Sequence, residues 1–142
     1  MLDWSPHVQA FVQAHRVARL ATVDGTGRPL VLPICYTVAG ETVYSPIDAK
    51  PKRVPIHRLK RLRNIQDNPH VALVIDDYGE DWTQLAYVIL QGTAEIVTSG
   101  LPFERAVAAL REKYPQYQHM PIQENPMIAV RLTHVVSWGA VG

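Results

Sequence analysis

A chain of 142 residues, 47% hydrophobic and 19% charged, is long enough for a single domain over residues 1–142 and too apolar for disorder. Its formal charge of +1 is far from the strongly basic balance of a nucleic-acid-binding domain. One cysteine, Cys35, excludes an intrachain disulfide framework and a cysteine-based zinc site.

The opening Met1-Leu2-Asp3-Trp4-Ser5-Pro6 has neither the basic nor the apolar region of a signal peptide. No apolar run approaches the ~20 residues that span a bilayer. The expectation is a soluble, cytoplasmic protein with no membrane partner. Ser5-Pro6 reads as a helix start, Ser5 as the N-cap and Pro6 at the first helical position. Trp4, Val8, Phe11, Val12 and His15 then recur at helical spacing.

From Val17 the pattern changes to strands. Residues 17–23 lead into the turn Asp24-Gly25-Thr26-Gly27. A second strand is predicted from Leu30 through Val38, with Leu30, Leu32, Ile34, Tyr36 and Val38 on one face and Val31, Pro33, Cys35 and Thr37 on the other. Ala39-Gly40-Glu41 turns into a third strand over 42–45, which gives a predicted antiparallel meander.

Between Lys50 and Arg63 stand Lys50, Lys52, Arg53, Arg58, Lys60, Arg61 and Arg63, with no acid among them. These seven are half of the chain's fourteen Lys plus Arg, so the remaining residues carry seven cations against thirteen acids. Such a concentration suits a phosphate-bearing partner, either a small cofactor or a nucleic acid. Pro51 and Pro55 hold the first part extended, and residues 56–65 read as a helix with the apolar stripe Ile56, Leu59, Leu62 and Ile65. The helix start adds unpaired N–H groups that favour an anion, whereas the plain alternative is a solvated basic helix lying on the core.

Asn68-Pro69 ends that helix, and a buried strand follows over 71–76. The acidic loop 76–81 leads past Trp82 into the longest strand, 85–97, which Gly92 is expected to bend or bulge. Pro102 opens a helix with the stripe Phe103, Ala106, Val107, Leu110 and Tyr114, and Pro115 stops it. The last strand runs from 127 to 138. Hairpins in place of βαβ units predict a mainly β (α+β) fold: a six- to seven-stranded antiparallel barrel with three peripheral helices.

Several side chains carry ordinary readings. Cys35 fits a small buried hydrophobe. His7, His15, His57, His70, His119 and His134 show no metal-ligand spacing, so no metal site is expected. Asp76, Asp77, Glu80 and Asp81 fit a solvated cluster, or one that repels the wrong end of an anionic cofactor. Trp82 and Trp138 suit either the core or the wall of a ligand cleft. No residue is assigned as a catalytic acid or base.

The segments Gly27-Arg28-Pro29-Leu30-Val31-Leu32-Pro33-Ile34 and Thr42-Val43-Tyr44-Ser45, the cationic stretch, and Leu62-Arg63-Asn64-Ile65-Gln66-Asp67-Asn68-Pro69-His70-Val71-Ala72-Leu73, in that order, resemble the pyridoxamine 5′-phosphate oxidase-like split-barrel superfamily. Asp76-Asp77-Tyr78, Asp81-Trp82, Gln91-Gly92-Thr93-Ala94 and Ser137-Trp138 resemble its deazaflavin (coenzyme F-420)-dependent oxidoreductase branch. The resemblance implies a homodimer that holds FMN or the deazaflavin coenzyme between subunits. It places the ring along the backbone of Val31, Leu32 and Pro33, and Ser45 at the ribityl–phosphate chain. It makes Lys50, Lys52 and Arg61 the first phosphate ligands, with Arg58 and Lys60 as alternatives. Arg61 stands where the family pattern has a lysine three residues before the Asn.

Cofactor redox chemistry needs no catalytic triad or paired carboxylates from the protein, and this chain shows neither. The leading reading is an oxidoreductase moving a hydride to or from an unidentified small organic substrate. The alternative is a flavin, deazaflavin or haem carrier or sensor. A nucleic-acid module is disfavoured, because six of the thirteen acids lie between Asp67 and Glu95.

Overall fold

The computed structural model describes residues 2–48 and 59–141. The first helix, α1 (Pro6–Ala14), starts as its sequence dictates: the Ser5 side chain accepts a hydrogen bond from the Val8 N–H at 3.1 Å, and Pro6 occupies the first turn. Val8, Phe11 and Val12 are its buried face.

Seven strands follow as one antiparallel sheet: β1 (Ala18–Val23), β2 (Pro29–Ile34), β3 (Thr37–Ala39), β4 (Thr42–Pro46), β5 (His70–Asp77), β6 (Ala86–Val97) and β7 (Met127–Gly139). They are ordered β2-β1-β5-β6-β7-β4-β3. Two more helices, α2 (Lys60–Asp67) and α3 (Leu101–Lys113), pack on it. The 3₁₀ turns Trp82–Gln84, Pro115–His119 and Ile122–Glu124 fill the connections. The main core lies between α1, α2 and the inward residues of the strands, such as Leu20, Leu73, Val88 and Leu90. A second cluster, Phe103, Val107, Leu110, Tyr114, Tyr117, Ile122 and Met127, packs α3 and the following turns against the start of β7.

The structure departs from the sequence reading in two related ways. The strand predicted over 30–38 is broken at Cys35-Tyr36: β2 pairs with β1, and β3 pairs with β4. The physical reason is a tyrosine far along the chain. The Tyr36 N–H donates to the Tyr114 hydroxyl at 3.0 Å, and the Tyr114 hydroxyl lies 3.1 Å from the Tyr36 carbonyl, so the backbone here bonds to a side chain and not to a ladder. The predicted meander is interrupted at the same point: its two hairpins, β1–β2 and β3–β4, form, but they are not continuous with each other. After the break, β4 pairs with β7, from Thr42↔Arg131 to Pro46↔Met127, and β2 and β3 lie at opposite ends of the strand order.

Gly92 does mark an irregularity. The β6–β7 register shifts between Gln91↔His134 and Gly92↔Leu132, leaving Thr133 as an extra residue on β7. A Cβ on Gly92 would stand 2.1 Å from the Arg131 carbonyl oxygen, so only glycine permits this approach. The basic helix is α2, with Leu59, Leu62 and Ile65 buried as predicted; Ile56 lies outside the described residues.

Candidate functional site

Three segments that are distant in sequence meet at one cavity of about 250 Å³. The end of β2 and the residue after it supply Pro33, Ile34 and Cys35, β4 supplies Ser45 and Pro46, and α2 supplies Arg61. Val17, Asp48 and Tyr117 complete the lining. Of the residues proposed from the sequence, Pro33, Ser45 and Arg61 are therefore brought together. Burial holds the Arg61 guanidinium below its ordinary pKa, while the Asp48 carboxylate acts in the opposite direction. A half-buried arginine at a cavity, beside a carboxylate, still carries N–H donors suited to a phosphate.

Ser45 is almost completely buried, and its hydroxyl donates to the Cys35 carbonyl at 2.9 Å. Its proton is thus committed to closing the β2–β4 junction, and its oxygen remains an acceptor for a ligand hydroxyl.

The β2 strand is an end of the sheet order. At its turn the Asp24 N–H donates to the Arg28 carbonyl, so Asp24–Arg28 is a hydrogen-bonded pair. Antiparallel alternation then pairs Leu30, Leu32 and Ile34 with β1 and turns the backbone of Pro29, Val31 and Pro33 to the open edge. Both prolines fall where no ladder donor is needed. Val31 is 64% exposed. Leu32, in contrast, packs its half-buried side chain against the core and bonds its backbone to β1. The edge thus offers backbone groups from Val31 and Pro33, while Leu32 supports them from behind.

Other proposed residues lie elsewhere. Lys60 turns away from the cavity toward the β1–β2 turn, its Nζ 3.6 Å from the Asp24 carboxylate. That carboxylate is held well below the usual range by hydrogen bonds from the Arg28 N–H and the Thr26 hydroxyl and N–H. Lys50, Lys52 and Arg58 lie outside the described residues. Trp82 and Trp138 are 70% and 52% exposed, which removes them from the core. Trp138 stacks on Tyr87 with ring centroids 5.6 Å apart, beside a hollow of about 430 Å³ walled by Val74, Tyr78 and Ile89. Four strand spacings, roughly 19 Å, separate β2 from β7. Trp138 therefore does not wall the cavity of its own chain, although Val31, Pro33, Val74, Ile89, Val136 and Trp138 all emerge on one side of the sheet.

Sequence reasoning missed Val17, Asp48 and Tyr117. Tyr117 sits in the loop after α3, and Arg111 fixes that loop by donating to the carbonyls of Tyr117 and Met120. Burial, then a hydrogen bond with Cys35, pushes the Tyr117 phenol up. No local pattern in the sequence marks these positions. Cys35 is half-buried where this cavity meets a second one of about 490 Å³, lined also by Arg16, Tyr114 and Met120. Among the described residues no His, Cys, Asp and Glu side chains group as metal ligands, and no helix is long and apolar enough to cross a membrane.

A family model for pyridoxamine 5′-phosphate oxidase matches residues 5–139. A 5a,11a-dehydrotetracycline/5a,11a-dehydrooxytetracycline reductase of Streptomyces rimosus is 26% identical over 133 residues, covering 93% of this chain and 80% of the reductase. A haem-binding protein from Mycobacterium smegmatis superposes with a TM-score of 0.76 at 19% identity, over 100% of this chain and 57% of that one. An F420 reductase superposes at 0.67 and 23% identity, over 90% of this chain and 94% of its own. The structural likenesses show the common split-barrel fold, and the match over residues 5–139 shows that the chain belongs to the pyridoxamine 5′-phosphate oxidase family.

Proposed function

We propose that this protein is an oxidoreductase that binds FMN or a deazaflavin coenzyme and passes a hydride to or from a small organic substrate. The observation that carries this reading is the meeting of Arg61, Ser45 and the Pro33 end of an open strand edge at one cavity. Arg61 would hold the cofactor phosphate through charge-assisted bonds, with Lys50 and Lys52 from the neighbouring basic run. The Ser45 oxygen would accept from a ribityl hydroxyl. The backbone of Val31 and Pro33 would orient the ring along β2, and the bound cofactor would supply the redox chemistry. The family match and the reductase relative support an oxidoreductase.

A volume of about 250 Å³ lies below the usual range for small-molecule sites, roughly 300–1,000 Å³. One chain accommodates the phosphate end, and a second copy laid on the exposed sheet face would cover the ring. Trp138 and Trp82 of that copy are then the aromatic groups available to wall it.

A second reading, a carrier or sensor without turnover, is favoured by the superposition on a haem-binding protein. The two separate on one experiment: titration with FMN, the deazaflavin coenzyme and haem, followed by turnover assays with the reduced forms of whichever flavin binds. Tight flavin or deazaflavin binding with electron transfer to an added acceptor supports the oxidoreductase. Haem binding alone supports the carrier.

A further inference from the structure

We infer that Asn64 is a positioning residue, set within α2 to aim Arg61 into the cavity; this inference rests on the proposed phosphate role of Arg61. Asn64 is 1% exposed, and its Nδ2 donates to the Oγ1 of Thr22 on β1 at 3.0 Å. Thr22 is itself fully buried. The Asn64 amide oxygen, Oδ1, is buried and accepts from no described residue. Keeping Oδ1 buried and unpaired is a cost to stability, so what the amide supplies here is its bond to Thr22.

What an amide supplies is direction. The remaining inward contacts of α2 are Leu59, Leu62 and Ile65, whose apolar packing has no preferred angle and lets a short helix turn on its axis. At the helix start, Leu59 at the N-cap makes no side-chain capping bond. The Lys60–Asp24 pair, 3.6 Å apart, joins a half-exposed ammonium to a largely buried carboxylate, and at that distance it sets no hydrogen-bond angle. A buried hydrogen bond, however, fixes both distance and angle. Arg61 precedes Asn64 by three residues, so both lie on the same side of the helix. The bond to Thr22 consequently sets where the Arg61 guanidinium points.

The test uses Asn64→Leu, with Thr22→Val breaking the same bond from the strand side should the first variant fold poorly. Two readouts are taken on each folded variant. Phenylglyoxal modification, mapped by peptide mass, reports the exposure of Arg61, with exposed Arg63 on the same helix as internal control. FMN titration reports the phosphate site. The expected result is faster modification of Arg61 but not of Arg63, together with binding weakened about tenfold, equivalent to ~1.4 kcal/mol. Unchanged Arg61 reactivity in a variant that melts like the wild type would overturn the inference. A role in packing alone predicts that outcome for Asn64→Leu, or a lowered melting temperature with Arg61 reactivity unmoved. Should the wild type bind neither FMN nor the deazaflavin coenzyme, the functional proposal fails, while the Arg61-to-Arg63 modification ratio still decides the role of Asn64.

Discussion

At Arg61 and Lys113 the protein buries two cations in different ways. Arg61 opens on the cavity that holds Ser45 and Pro33. Arg61→Ala is expected to weaken FMN or deazaflavin binding roughly ten- to a hundredfold, the equivalent of one charge-assisted bond of about 1.5–3 kcal/mol, which a fluorescence titration measures. Combining it with Lys52→Ala is expected to deepen the loss. Lys113 has no such outlet. Its Nζ is buried without a hydrogen-bond partner among the described residues and stands 4.0 Å from the centre of the Tyr36 ring. Burial, aided by Arg16 and opposed by Cys35, lowers its pKa from 10.5 to about 8. Between about 8 and 10.5 the unfolded chain thus binds a proton that the folded chain does not, and stability contributed by Lys113 rises with pH across that window. Burial also pushes Tyr114 up to about 12, so its contribution is present below its ordinary value near 10 and is lost as pH rises past it. Melting curves from pH 7 to 10 should rise less steeply for Lys113→Met than for the wild type. The basic run made Arg61 legible in the sequence. Asp48 and Tyr117 were not, because what brings them to the cavity is the path of the chain after β4 and after α3, and neither position carries a local pattern.

At the level of elements, local chemistry was readable and partners were not. Ser5-Pro6 started α1, Pro102 fell in the first turn of α3 and the apolar stripe of α2 is buried, because each signal acts within one or two helical turns. The break at Cys35-Tyr36 has no local sign: alternation continues through it, and the hydroxyl that satisfies the backbone comes from Tyr114. At that contact β2 and β3 part, β4 pairs with β3 on one side and β7 on the other, and β2 ends the strand order as an open edge. The Gly92 irregularity, visible in the sequence as a glycine inside a long strand, has its cause in the 2.1 Å approach of the Arg131 carbonyl. Gly92→Ala forces backbone, not a flexible side-chain end, to move. It is expected to cost on the order of 1–3 kcal/mol, seen as a melting temperature lowered by several degrees with cofactor affinity largely retained.

On the scale of the whole molecule, Val31, Pro33, Val74, Ile89, Val136 and Trp138 emerge on one side of the sheet. Val31 at 64%, Val136 at 41% and Trp138 at 52% exposure are costly to leave in water over one continuous face. The proposed second copy, applied about a two-fold axis, would cover both faces at once and be self-complementary by construction. Were that axis to run along the strands, it would bring the β7 end of one chain opposite the β2 edge of the other, and Trp138 could then reach a cofactor roughly 19 Å across the strands of its own sheet. Trp138→Asp would place a charge within that proposed contact. It should leave the monomer folded, because Trp138 is half-exposed and its packing is with Tyr87 on the outer side of the sheet. The expected result in sedimentation is a wild-type dimer and a variant shifted toward monomer at micromolar concentration. FMN or deazaflavin binding by the variant should weaken in parallel and recover as protein concentration is raised, since mass action restores the interface and the site together. Binding that is lost independently of protein concentration would instead place Trp138 in contact with the ligand inside a single chain, and the paired geometry would be wrong.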